Sequence, residues 1–425
     1  MASLKGVNIT RGTLGASVID NADAVCGLLS PGVTIAADES KGIIGLAVNT
    51  TVKLTCMADA AILGITENYD TGKYSLYRHI SEFYRIAGDG HTLYVRVFSG
   101  TMTECFDQAK AMIADSDGEI RILAIAGVQT GDNITYTNGL PKEVYDSIAK
   151  AQEFYDWTFE TFRPCQVILE GYRFSAQNAS KAPDLRNFQP TRGVTLEAFK
   201  VSVCIGQDYA AVDNLPETDA RRYRADIGTM LGSLAYREIN GNIGEVMGGN
   251  IANAAKGAWL KAGLSNHKTI AEWDSQLEQL DDKGYIFGIH YAGLSGFYWN
   301  NDYTCTPAIK DKDGYFNEHT ISYGRVLDKC VRDLRTALLP YVKSSQPVDP
   351  ETGKLPKATA AYFEAVGDSV FERMMAAGTI TAGKTTVDAD SDLLTTPRVL
   401  KVSFVVVPTG CIDEIKGTIN LKTNI

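Results

Sequence analysis

Two hydrophobic periods alternate along this chain, and the switches between them mark its predicted elements. Short continuous apolar runs in "HTLYVRVFSG" and "IRILAIAG" predict buried strands, and "MTECFDQAKAMIADSDG" between them predicts a helix. A second helix is predicted from Pro141 to about Phe162, with Pro near its first turn and Val144, Ile148, Ala151, Phe154 and Tyr155 on one stripe. "CQVILEGY" and "FKVSVCIGQD" then predict two further strands. Strands alternating with helices of this length predict an α/β layer, its sheet covered by helices, within a chain that is α+β overall.

Downstream the pattern becomes mixed. A helix is expected over Asp219 to Glu238, followed by the Gly-rich "NGNIGEVMGGNIANAAKGAWL" and by the aromatic, strand-like stretch Gly284 to Cys305. A long helix follows from about Ser322 to Lys343, with Val326, Cys330, Leu334 and Leu338 at four-residue spacing and Arg325, Lys329, Arg332 and Arg335 around it. After the Pro-rich linker "SSQPVDPETGKLPK" come another helix to about Ala377 and strands near Thr386 and from Arg398 to Val407.

The two terminal segments fit neither period. Residues 1–20 are rich in Gly, Thr and Ser with Val7, Ile9, Leu14 and Val18 thinly spaced, which predicts an extended arm. "CIDEIKGTINLKTNI", residues 411–425, places Ile412, Ile415, Ile419 and Leu421 along a strand with no later segment to pair with. An unpaired strand of this kind is a template for another chain.

Composition narrows the function classes. The 425 residues are 44% hydrophobic and 22% charged, an ordinary globular balance, and the formal net charge of -10 argues against holding a nucleic-acid backbone. The N-terminus shows no basic region followed by an apolar core, and no run reaches the roughly 18 to 20 apolar residues that cross a bilayer, so a protein assembled in the cytoplasm is expected. Eight cysteines are scattered singly without zinc spacing, which predicts reduced thiols.

The candidate chemical motifs each meet a physical objection. "GTITAGKT", Gly378 to Thr385, fits the phosphate-loop pattern letter for letter, yet a strand should precede that loop and a helix follow it, and here the order is reversed. A helix C-cap at Gly378 and a hairpin turn around Gly383 are the expected alternative. "KDKDGYFNEH", from Lys310, lacks the closing Glu of a calcium loop and reads as an Asp-Gly turn. "GNIGEVMGGN" is not a dinucleotide fingerprint, and the five histidines are far apart in sequence. The aromatic cluster from Tyr285 to Trp299 reads as packing. No catalytic residue, cofactor or metal is expected.

Order and hydrophobic profile point to a family. "GFYWNNDYTCTP" followed by "GRVLDKCVRDLRTALLPYV", "AYFEAVGDSVFERMMAAG", "TITAGKTTVDADSD" and "LKVSFVVVPTGCIDEIKGTINL", together with the early "GVNITRGTLGAS", resemble contractile tail sheath proteins, the sleeve subunits of phage tails and related injection machines. The resemblance implies an inner domain from the ends of the chain (284–410, mixed sheet and flanking helices), a variable α/β middle region (21–283), and strand-exchange arms at 1–20 and 411–425. It implies no enzymatic activity, with self-association into stacked hexameric rings around an inner tube and contact with baseplate and terminator proteins.

Within it, Val7, Ile9, Leu14, Ile415, Ile419 and Leu421 are the candidate subunit-interface residues. Arg325, Lys329, Arg332 and Arg335 are candidate contacts to the inner tube, with a solvated helix face as the alternative. A nucleotide-binding α/β enzyme using Gly378–Thr385 and a virion or baseplate component that does not polymerise are the competing expectations.

Overall fold

The computed structural model describes residues 22–127, 134–191, 193–395 and 398–422. Its centre is a seven-stranded sheet built from β1 (Cys26–Pro31), β2 (Thr51–Leu54), β3 (Leu93–Phe98), β4 (Ile122–Ile125), β5 (Gln166–Glu170), β6 (Val201–Cys204) and β7 (Tyr285–Ile286). The order across the sheet is β7-β6-β5-β4-β1-β3-β2, parallel throughout except for β2, which runs antiparallel to β3 at the edge. The expected mixed α/β architecture is therefore present. Residues 285–299, expected on the far side of a boundary at 284, complete this layer: β7 joins the sheet, and Trp299 is fully buried in its core.

Side-chain alternation explains why both faces are covered. In β4, Ile122 and Ala124 point to one core and Leu123 and Ile125 to the other. One face carries α3 (Phe106–Asp115), α4 (Lys142–Glu160) and α6 (Ile270–Asp282), through Ala109, Met112, Ile148, Ala151, Phe154 and Leu280. The other carries the short α1 (Met57–Ile62), then α2 (Leu76–Ala87) and α5 (Ile227–Tyr236), through Ile80, Phe83, Met230 and Leu234. Helix α5 lies directly on α2: a Cβ at Gly228 would stand 2.2 Å from the His79 carbonyl oxygen, so no side chain fits there.

The helix expected from Asp219 to Glu238 is broken. A single 3-10 turn at Ala220–Tyr223 is followed by an extended link before α5, because the Asp226 carboxylate leaves the helix to accept the Asp208 N–H at 2.6 Å. The strand expected across Phe199 to Asp208 is likewise two strands. Beyond Cys204 the chain leaves the main sheet, and Gly206–Asp208 pairs antiparallel with Ala262–Leu264.

The C-terminal part is a second layer. It comprises α7 (Ile321–Leu338), α8 (Lys357–Ala376) and the antiparallel pair β8 (Ile380–Val387) and β9 (Val402–Pro408). Its core joins Val326, Cys330 and Leu334 of α7 to Val370, Phe371 and Met374 of α8 and Ile380 of β8. Thr320 caps α7, its side chain accepting from the Tyr323 N–H, and the helix passes at Leu339 into a 3-10 turn that contains Pro340.

The candidate assembly surface

Helix α7 ties the two layers together across the amino-terminal ends of the parallel strands. Lys200, immediately before β6, is fully buried, and its Nζ donates to Asp328 Oδ1 and to the Gly324 carbonyl, each at 2.9 Å. Tyr155 of α4 donates its hydroxyl to the same Asp328 oxygen at 2.8 Å. The approach at Gly324 is close: a Cβ there would lie 3.0 Å from Gln166 Oε1 and 3.2 Å from Lys200 Nζ.

The four basic residues considered as tube contacts all have partners within the chain. Arg325 is buried, with its guanidinium directed to the carbonyls of Glu238 and Asp23. Lys329 and Arg332 hold the Asp23 carboxylate at 2.8 and 2.5 Å. Arg335 stacks over the Phe162 ring at 3.5 Å from its centroid. Within the chain they fasten α7 to the segment before β1 and to the turn after α4, with Arg325 buried, Lys329 and Arg332 half-buried and Arg335 exposed. Burial alone would raise Asp23, yet the bond from Lys329 and the charge of Arg332 hold it below the usual carboxylate value.

Two buried carboxyls behave in the opposite sense. Asp302 receives the Ser322 N–H at 2.8 Å at the start of α7, and burial pushes it up to about 7. Burial also raises Glu170 to about 7, although it accepts from the Gly127 and Ala225 N–H groups. With unfolded values near 3.8 and 4.5, both contribute stability that is complete below those values and lost as pH rises through about 7. The melting temperature is expected to fall between pH 5 and pH 8. Asp302→Asn keeps an acceptor for Ser322 and never ionises, so the fall should shrink by roughly 3 °C, at about 1 °C per kcal/mol for this chain length. An identical fall in both proteins, followed by circular dichroism, would remove Asp302 from this account.

The "GTITAGKT" letters lie in no phosphate loop. Gly378 ends α8 in the left-handed region at φ 71°, as the expected C-cap, and residues from Ile380 onward form β8. Gly383 is not at a turn. It sits in mid-strand because the Phe371 ring presses on it, and a Cβ there would meet Phe371 at 2.3 Å. At the Asp-Gly turn, Asp311 Oδ1 accepts from the N–H groups of Asp313 and Tyr315 at 2.9 and 2.8 Å, so its lone pairs serve the turn. No group of three potential metal ligands occurs among the described residues. All eight cysteines are free, and Cys411 alone is exposed.

What remains open to other molecules is backbone. The outer edges of β8 and β9 carry no further strand among the described residues, and Phe404, Val405 and Val407 are partly exposed. A cleft of about 420 Å³ runs beside β9, lined by Tyr315, Phe316, Val326, Leu327, Val405 and Val407. Beyond Pro408 the chain continues with no ladder partner: Ile412 is 76% exposed, Ile415 86%, Ile419 95% and Leu421 fully exposed. The expected strand is not formed by these residues within the chain, and the open edge of β9 was not legible, because nothing local distinguishes an edge strand from a central one. Val7, Ile9 and Leu14 lie outside the described residues.

Family models cover nearly the whole chain. The DUF2586 N-terminal domain matches residues 8–303 and the DUF2586 C-terminal domain matches residues 319–425. The chain belongs to the DUF2586 family. The junction between the two matches falls just before α7, where the C-terminal layer begins. No curated protein matches this DUF2586 chain.

Among solved structures, the chain is similar over 100% of both chains to one in the cryo-EM structure of the anti-feeding prophage baseplate, 6-fold symmetrised, with a TM-score of 0.57 and 15% identity. It is similar over 98% of its own length and 99% of the other's to one in the helical sheath of the same particle in the contracted state, with a TM-score of 0.55 and 15% identity. The DUF2586 chain thus shares its complete fold, both layers included, with chains of a contractile particle.

Proposed function

We propose that this chain is a non-catalytic structural subunit of a contractile sheath, which polymerises around an inner tube and shortens to drive that tube through a cell envelope. The observation that carries the reading is end-to-end likeness in fold to a chain of a contracted helical sheath. The exposed apolar segment 412–421 and the uncovered edge of β9 support it, because strand addition between copies uses these two features. Rings of six such subunits, linked by arms, would stack in the cytoplasm into a phage tail or injection particle. Tube, baseplate and terminator proteins would be the remaining partners. Contraction would draw on two packings of one subunit with different contact energies, without nucleotide.

Purified full-length chain mixed with its cognate inner-tube protein and viewed by negative-stain microscopy tests this. Long sleeves are expected. A second reading, a baseplate component that does not polymerise, is favoured by the likeness to a chain in a baseplate structure. Short rings or monomers in the presence of tube would replace the sheath reading with that one.

A further inference from the structure

A second cleft, of about 870 Å³, opens along the outer side of α2, between that helix and the segments that contain Arg221, Arg224 and Lys256. Its inner end lies beside the carboxyl edge of the parallel sheet. Ala225, next to Arg224, donates its N–H to Glu170 at the end of β5, and Gly127, just beyond β4, donates to the other Glu170 oxygen. The strand order reverses at β1, with β3 on one side and β4 on the other. Ligands of open α/β sheets collect outside the carboxyl ends at such a reversal.

The group that marks the cleft is Arg224. It lines the cavity yet is only 5% exposed, and no acceptor among the described residues takes a hydrogen bond from its guanidinium. Its ion-pair contact is from Nε to Asp226 Oδ1 at 3.5 Å, too long and poorly placed to count as a hydrogen bond.

Three neighbouring carboxylates, Asp226, Glu82 and Asp70, already hold partners, and Asp208 holds Arg78 and the Trp259 N–H through Oδ2. Asp226 receives Arg78 Nε at 3.1 Å and the Asp208 N–H at 2.6 Å. Glu82 is forked by Arg85, and Asp70 accepts from the N–H groups of Tyr77 and Arg78. Burial lowers Arg224 below the usual arginine value, although Asp226 opposes this. Burial raises Asp208, while Arg78, which it pairs at 2.9 Å, opposes this. A guanidinium whose buried Nε–H meets no hydrogen-bond acceptor is costly to keep, and an oxyanion is a group whose geometry fits that fork.

We propose that this cleft is a binding site for a small oxyanion, of the phosphate or polycarboxylate type, held by the Arg224 guanidinium, with Lys256 at the rim supplying long-range attraction. The cavity lies within the range of small-molecule sites. Arg221, bound to Asp219 and to the Asp70 carbonyl, forms part of its wall.

Thermal melting of the full-length chain against inorganic phosphate and, separately, citrate tests the site, with sodium chloride at matched ionic strength as the control. The wild type should show a saturable rise in melting temperature with at least one oxyanion, and the two arms tell phosphate from polycarboxylate chemistry. Arg224→Gln removes the Nε contact to Asp226 together with the proposed anion ligand, so its melting temperature without anion is the baseline, and it should lose at least tenfold in apparent affinity. Lys256→Gln changes only an exposed rim residue and should weaken binding about threefold. It decides the matter if Arg224→Gln fails to fold. No saturable rise with either oxyanion, or equal responses in the wild type and the variants, would overturn the proposal.

Discussion

Deleting residues 411–425 is expected to leave a folded chain, with an unchanged melting temperature, that no longer builds sleeves. The folded unit loses little because Ile412, Ile415, Ile419 and Leu421 stand 76% to 102% exposed, and the deletion removes one contact, from Asn242 Nδ2 to Cys411 Sγ at 3.8 Å. Assembly loses everything the segment could bury. Covering four such side chains contributes on the order of 6–12 kcal/mol, while ordering about a dozen residues costs on the order of 12–24 kcal/mol. Apolar burial alone therefore does not hold the segment in place.

On the proposed sheath reading, main-chain hydrogen bonds to the edge of β9, and many links acting together, would supply the rest. The isolated tail peptide should accordingly bind weakly even though the assembled sleeve is stable. Circular dichroism melting and negative-stain microscopy on the truncated chain read the two halves of this prediction. Sleeves of normal length from the truncated chain would refute it.

Asp328→Ala is expected to be the most damaging single substitution in the link between the layers. It strips Lys200 of its nearer carboxylate, leaving Glu318 at 3.8 Å and the ammonium fully buried, and it strands the Tyr155 hydroxyl. Breaking a buried pair from one side costs about 3–5 kcal/mol, which for a chain of 425 residues lowers the melting temperature by roughly 3–6 °C. The double variant Lys200→Met with Asp328→Leu removes both charges and fills similar volume, so it should recover most of that loss. A single variant within about 1 kcal/mol of the wild type would show that water reaches the pair and that α7 is anchored chiefly by its apolar face.

Much of the fold could be read from local pattern. The strands around Val95, Leu123, Val167 and Val203 stand where continuous apolar runs placed them, and α4 and α8 follow their expected spans closely. The failures share one cause. Periodicity around Asp219–Glu238 is helical throughout, yet Asp226 is claimed by the Asp208 backbone. The glycine pattern at Gly383 suggests a turn, yet the Phe371 ring needs that space. The Arg325–Arg335 series looks like an open basic face, yet its partners Asp23 and Phe162 lie far away in the chain.

The sequence by itself determined what depends on neighbours within a few residues. That covers which segments are strand or helix, which face of each is apolar, that the phosphate-loop letters stand in the wrong order, and that the segment after Cys411 is apolar without a local partner. The tertiary structure alone decided which charges are spent inside the molecule and which donors are left without acceptors. Backbone geometry repeats every two or 3.6 residues and writes itself into the chain, whereas an ion pair or a cleft joins residues hundreds of positions apart and leaves no periodic mark. That is why Arg332 could be noticed in the sequence but not assigned, and why Arg224, in an unremarkable run of basic residues, became visible only once the groups around it were in place.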